Sequence, residues 1–165
     1  MKILVVLIMF TSLIACSQNE KPKHESAAAE TPAPANQQPD FLIVFLDGQK
    51  KSFQTLEGKV ALILFQPDCD HCQREAADIE KNLPGFKDFK LYFVSSASLN
   101  EIDAFAREYK LKDKPNVFFG TTEAVNVLKH FGPVETPSLY LYSEQKQLIE
   151  SFNGEVAIEV VVKYI

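Results

Sequence analysis

The sequence predicts an α/β domain, a mixed β-sheet with helices packed on its faces. Three observations carry this. Val60 to Phe65 is an apolar run without alternation, the pattern of a strand buried on both faces in the middle of a sheet. Directly after it, Cys72, Ala76, Ile79 and Leu83 recur at i, i+4, i+7 and i+11, one apolar stripe of a helix. Strand-like and helix-like patterns then alternate to the C-terminus, as expected of helices layered against a sheet.

The first residues do not belong to that domain. Lys2 is a minimal positive region and Ile3 to Phe10 a short apolar one, too short for a membrane span. Leu13-Ile14-Ala15-Cys16 closes it with small residues before a cysteine, and this resembles the lipobox of bacterial lipoproteins. The expectation is a signal peptide over residues 1–15, with Cys16 carrying the lipid; a plain signal peptide with a chance cysteine is the other reading. From Ser17 to Pro39 the chain is polar and rich in Ala, Pro, Glu and Lys. Such a stretch buries too little surface to offset its ordering entropy, so residues 16–39 are expected to be a flexible tether spanning ~25 Å. His24 lies within it as a solvated side chain.

The folded domain is expected over residues 40–165. Phe41 to Leu46 reads as a strand, Asp47-Gly48 as a hairpin turn and Lys51 to Phe53 as the short return strand. Leu56 to Lys59 forms a loop into the Val60–Phe65 strand. The helix that follows turns Arg74, Asp78 and Lys81 outward and stops at Pro84-Gly85. Leu91 to Val94 is the next strand. Ser98 and Glu101 have capping-box spacing ahead of Ile102, Phe105, Ala106 and Tyr109, a second amphipathic helix. Asn116 to Phe119 is a short strand and Thr122 to His130 a short helix ended by Gly132-Pro133. His130, near that helix end, is explained by the favourable placing of a cation there. Ser138 to Tyr142 and Leu148 to Phe152 are strands around Glu144-Gln145. Ile158, Val161, Val162 and Ile165 sit at helical spacing in a β-branched segment, and a helix is expected there.

Composition bounds the function. The 165 residues are 46% hydrophobic with 13 Phe and no Trp, enough for a real core. A formal charge of −5 without any basic run argues against nucleic acid as a partner. The chain has 3 Cys, an odd count, and acylation of Cys16 would leave Cys69 and Cys72.

Those two define the candidate site, Cys69-Asp70-His71-Cys72, where the buried strand turns into the first helix. Free N–H groups and the dipole at a helix start favour a thiolate. Two intervening residues bring the sulfurs within bonding range, so the pair can cycle between dithiol and disulfide. A zinc site would need four ligands, and no second Cys or His pair is present, so no metal is expected. Gln73 rules out the Cys-x-x-Cys-His spacing of haem attachment. A purely structural disulfide is the remaining alternative. Glu75 shares a helix face with Cys72, either as a proton relay for it or as an ordinary surface carboxylate. His71, if protonated, would stabilise a Cys69 thiolate; otherwise it is a solvated loop histidine.

Taken together, Asp47-Gly48, Glu57-Gly58-Lys59, Cys69-x-x-Cys72, Glu75, Thr136-Pro137 and Asn153-Gly154 resemble the thioredoxin superfamily, and within it the lipid-anchored or periplasmic TlpA/ResA-like thiol-disulfide oxidoreductases. The resemblance covers Phe41 to the C-terminus. It implies a thioredoxin-like fold, a central mixed sheet flanked by helices, with an N-terminal β-hairpin and an insertion, including Lys110 to Phe131, before a cis-Pro hairpin. It implies that Cys69 is the nucleophile and Cys72 the resolving thiol. Pro137 would be cis and face the disulfide, forming with Thr136 a substrate-binding edge rather than merely initiating a strand. The redox-active disulfide Cys69–Cys72 would be the only cofactor. The implied partners are protein disulfide or dithiol substrates, an upstream membrane redox partner, and the lipid bilayer through acylated Cys16. A monomer in the bacterial cell envelope, facing the periplasm or the extracellular side, is expected, acting as a reductase. Three positions depart from the pattern: Asp68 replaces an aromatic, Ile63 a buried carboxylate, and Asp70-His71 the common Gly-Pro or Glu-Pro. A peroxiredoxin-like peroxidase is an alternative, weakened by Gln66 where the peroxidatic motif has Thr or Ser. A Cu(I)-binding protein using Cys69, Cys72 and a histidine is another.

Overall fold

The computed structural model describes residues 36–165. The expected signal peptide (residues 1–15), the Cys16 lipidation site and His24 lie outside the described residues. Seven strands and four helices follow in the order β1 (Leu42–Phe45), β2 (Lys50–Ser52), β3 (Lys59–Leu64), α1 (Asp70–Asn82), β4 (Phe89–Ser95), α2 (Leu99–Glu108), β5 (Val117–Thr121), α3 (Ala124–Phe131), β6 (Ser138–Tyr142), β7 (Leu148–Asn153) and α4 (Ile158–Val161). They form one sheet in the order β2-β1-β5-β4-β3-β6-β7. β3, β4 and β5 are parallel, while β1 and β6 run antiparallel to their neighbours β5 and β3, so the sheet is mixed as the sequence predicts.

The unbroken apolar run of β3 is explained by its two faces. Ala61, Ile63 and Phe65 enter one core layer, and Val60, Leu62 and Leu64 enter the other, the two-residue period of a strand. Helices α1, α2 and α4 cover the first layer through Cys72, Ala76, Ile79, Ile102, Phe105, Ala106, Ile158 and Val161. Phe131 from α3, with Phe53 and Leu56 after β2, closes the second. The Lys110–Phe131 segment thus supplies β5 to the sheet and α3 to its second face.

Local chemistry sets the element ends. Gly48 has φ +80° in the Asp47-Gly48 turn, where the Asp47 carboxylate accepts from the Gln49 N–H at 2.9 Å. Ser98 and Glu101 form the expected capping box on α2. Gly120 sits where β1 crosses closest to β5: a Cβ there would meet Ile43 at 2.5 Å and the Val44 carbonyl at 2.9 Å. The C-terminal segment is helical as expected, one α turn continuing as a 3₁₀ turn to Tyr164. Among the described residues no helix is long and apolar enough to cross a membrane.

The domain begins earlier than Asp40, which corrects the expected boundary. Gln37 bridges Gln147, and the Leu148 N–H donates to the Asn36 carbonyl at 2.9 Å. Gln38 is buried, its amide donating to the Phe53 carbonyl. A polar residue in a polar stretch is held here because its amide N–H groups find the Phe53 and Leu56 carbonyls inside the domain.

Candidate active site

The site is assembled by register. Leu64, the last residue of β3, pairs with Ser138, the first of β6. That pairing brings the turn leading into α1 beside the segment leading into β6, although they are 67 residues apart. Phe65 anchors the turn: its N–H donates to the Val94 carbonyl, and its ring packs 4.6 Å from that of Phe105. The chain then closes through the Cys69 N–H on the Gln66 carbonyl, and Gln73 binds the Pro67 carbonyl with its side chain.

Cys69 is the N-cap of α1. Its Sγ accepts the Cys72 N–H at 3.3 Å, the capping role that Ser or Asp fills elsewhere. A backbone donor therefore meets this sulfur, an arrangement that would favour a thiolate there. The Cys69 thiol donates to the Thr136 carbonyl at 3.4 Å, and the Thr136 hydroxyl lies 4.0 Å from the same sulfur. The Thr136–Pro137 peptide is cis, as the resemblance implies. Both thiols are free, Cys69 half-buried and Cys72 fully so. Burial, then the hydrogen bond and negative charge at Cys69, push the Cys72 thiol up to about 12. The accessible sulfur is Cys69.

Glu75 is not a surface residue. It is only 2% exposed, and its Oε2 accepts the Val156 N–H at 3.2 Å while Oε1 has no partner among the described residues. Burial drives its carboxyl up to about 7, reinforced by the nearby Glu155 and Asp78 charges and opposed by the Val156 N–H. Ile63, where the resemblance implies a buried carboxylate, is packed in the core. Among the described residues the buried carboxylate is Glu75, and it comes from the helix instead.

His71 lies on the exposed face of α1. No hydrogen bond joins it to Cys69. Its Nδ1 lies 2.6 Å from Glu155 Oε2 and 2.7 Å from Arg74 Nη2. Arg74 grips Glu155 with both arms of its guanidinium, Nε to Oε1 at 2.8 Å and Nη2 to Oε2 at 2.6 Å. Hydrogen bonds from Arg74 first and His71 second hold the Glu155 carboxyl down to about 2. Sequence reasoning missed this triad. The i, i+3 spacing of His71 and Arg74 was available, but Glu155 is 81 residues beyond Arg74. Among the described residues no three His, Cys, Asp or Glu converge as a metal site.

Residues 34–150 match the family model described as the AhpC/TSA family. No curated protein matches the chain in sequence. Among solved structures, a secreted disulfide oxidoreductase of Mycobacterium tuberculosis homologous to E. coli DsbE is similar at 14% identity. Its TM-score is 0.64, covering 76% of this chain and 93% of that one. The thioredoxin domain of a thiol-disulfide oxidoreductase from Bacteroides vulgatus is similar at 19% identity and TM-score 0.66, covering 81% and 98%. A peroxiredoxin-like protein from Aquifex aeolicus is similar at 14% identity and TM-score 0.64, covering 78% and 84%. At these identities the likeness is one of fold, and that fold is thioredoxin-like.

Proposed function

The chain belongs to the AhpC/TSA family, and from that membership and the Cys69 turn we propose a thiol-disulfide oxidoreductase that reduces protein disulfides outside the cytoplasm. The observation that carries the proposal is the half-buried sulfur of Cys69, the more accessible of the two, at the helix start beside the Thr136 carbonyl and one turn from a buried second thiol. The Cys69 thiolate attacks a substrate disulfide. A Cys69–substrate bond forms, and the other substrate sulfur leaves and takes up a proton. Cys72 gives up its proton and attacks Cys69; the Cys69–Cys72 bond forms and the second substrate sulfur leaves as a thiol. Two electrons pass to the substrate, and a membrane dithiol partner restores the pair.

Glu75, one turn beyond Cys72 on the same face, receives the Cys72 proton; a carboxyl near 7 is matched to that task at neutral pH. Thr136 and Pro137 form the edge along which an extended substrate pairs. When protonated, His71, held by Glu155, acts on Cys69 through its charge alone. The high Cys72 value leaves the dithiol form without stabilisation from a second thiolate, which favours use as a reductant.

Membrane tethering through acylated Cys16 suits the domain's geometry. The chain enters at the β6–β7 turn, where Gln37 meets Gln147, and Tyr142 just before that turn pairs with Val60 at the start of β3. Cys69 follows the opposite end of β3, so the thiol lies at the end of the sheet away from the point where a tether would join. Cys16→Ser should abolish fatty-acid labelling and membrane retention.

The family match also favours a peroxidase, in which peroxide would oxidise Cys69 to a sulfenic acid and Cys72 would condense with it, releasing water. Gln66 weighs against that: its amide is turned to Ser95 and Ser96, at 3.0 Å each, rather than to Cys69. The test is Cys72→Ala in cells. Adducts at Cys69 released by dithiothreitol, and absent when Cys69 is also replaced, are expected; no trapped protein, together with rapid peroxide consumption by the wild type, would move the assignment to the peroxidase.

A further inference from the structure

A groove of about 230 Å³ runs from Thr136 to the insertion helix α3. Val127 and Leu128 of α3 form one wall with Val134, and Phe65 and Val94 form its floor. Leu128 is 56% exposed at the rim, and no side chain of the described residues covers it. One exposed leucine is ordinary. This one borders an apolar groove whose other end is Thr136, the residue whose carbonyl lies 3.4 Å from the Cys69 sulfur. The polar groups at that end, Gln66, Ser95 and Ser96, are bonded to one another and ask for no polar ligand. The volume is below the ~300 Å³ at which small-molecule sites begin, but it suits a side chain.

We propose that this groove is a specificity pocket for the protein substrate, seating an apolar side chain that flanks the cysteine joined to Cys69. The inference rests on the thiol-disulfide function proposed above and names what that function selects. An extended segment advances ~3.3 Å per residue, so a substrate cysteine bonded at Cys69 carries its neighbours within two residues across Thr136 and over the groove. Substrates are then disulfides beside Leu, Ile, Val or Phe rather than beside polar residues. The insertion helix, not the Cys-x-x-Cys turn, makes the choice.

The test uses the full chain in reduced form and pairs of unstructured peptides, each with one cysteine in a mixed disulfide with glutathione. One member of each pair has Leu, the other Ser, at a position within two residues of the cysteine. Exchange at Cys69 should be about tenfold faster with the Leu peptide of at least one pair, the scale of burying a good part of a leucine. Leu128→Asn should bring that ratio close to one, while Ile149→Asn, an exposed apolar position on β7, should leave it unchanged. Equal rates for Leu and Ser in every pair overturn the pocket and leave the exchange function standing. A Leu128-dependent dimer in sedimentation would give the groove to a second copy and also overturn it. No exchange with any peptide or with glutathione disulfide would remove the underlying function as well.

Discussion

One glutamate reaches the loop after β7 from α1, another belongs to that loop, and their carboxyls are driven in opposite directions. Glu75 approaches from beneath, is 2% exposed, takes one backbone N–H from Val156, and is pushed up to about 7. Glu155, on the loop itself, is gripped by Arg74 and His71 of α1 on the solvent side and is held down to about 2. Desolvation dominates the first and pairing the second. Helix α1 supplies both environments: Cys72 and Glu75 on its buried face, His71 and Arg74 on its exposed one. In the proposed exchange the buried face would carry the resolving step, and the outer triad ties the loop to the helix.

The largest expected effect is on stability. Glu75 has its ordinary value near 4.5 in the unfolded chain and about 7 in the folded one. Between those values the folded state holds a proton that the unfolded state has released, so stability falls as pH rises through the window, by about 3 kcal/mol in all. Glu75→Gln should remove that slope and make the protein more stable than wild type at pH 8 by a similar amount. Urea unfolding at several pH values measures it, and an unaltered slope would place the titrating group elsewhere. Kinetics come next. The same variant should slow resolution of a Cys69 mixed disulfide by roughly a hundredfold near neutral pH while leaving the first attack nearly intact. Unchanged resolution across about pH 5 to 9, the range spanning thiol titration, would make Glu75 a structural residue.

On the outer face the effects should be smaller. Arg74→Ala should return the Glu155 carboxyl toward its ordinary range, followed by NMR titration, with little change in the Glu75 titration; a large movement of Glu75 would show that the two faces are coupled. Asp70→Gly should make the protein more oxidising and His71→Pro more reducing, each by less than about 30 mV, because charges at this solvent-exposed turn are screened. Redox titration against glutathione gives both, and a downward shift for Asp70→Gly would contradict a destabilising action of the Asp70 charge on the Cys69 thiolate.

Much of this was legible in the chain because local patterns dictate it. The unbroken run in β3, the stripe on α1 and the Ser98–Glu101 capping box each specify an element without reference to distant residues. The two cysteines and the position of Glu75 followed from helix spacing. The burial of Glu75 did not, since a charged residue one turn from the helix start reads equally well as solvated; it depends on α4 and the preceding loop folding back over α1. The Arg74–Glu155 clasp and the approach of Thr136 to Cys69 depend on sheet register, which joins positions far apart in sequence. Gln38 was hidden for the opposite reason: its polarity matched the tether, and only the carbonyls of Phe53 and Leu56 show why it is inside.

In the proposed exchange the two sulfurs divide the labour, an accessible Cys69 that attacks and a buried Cys72 that waits protonated. Timed alkylation of the reduced protein near pH 8, read residue by residue by mass spectrometry, tests it directly, and mass is the suitable readout for a chain with no Trp. Modification of Cys69 should run to completion while Cys72 in the folded protein stays essentially unmodified. Labelling of Cys72 first, or of both at equal rates, would contradict the assignment of nucleophile and resolver.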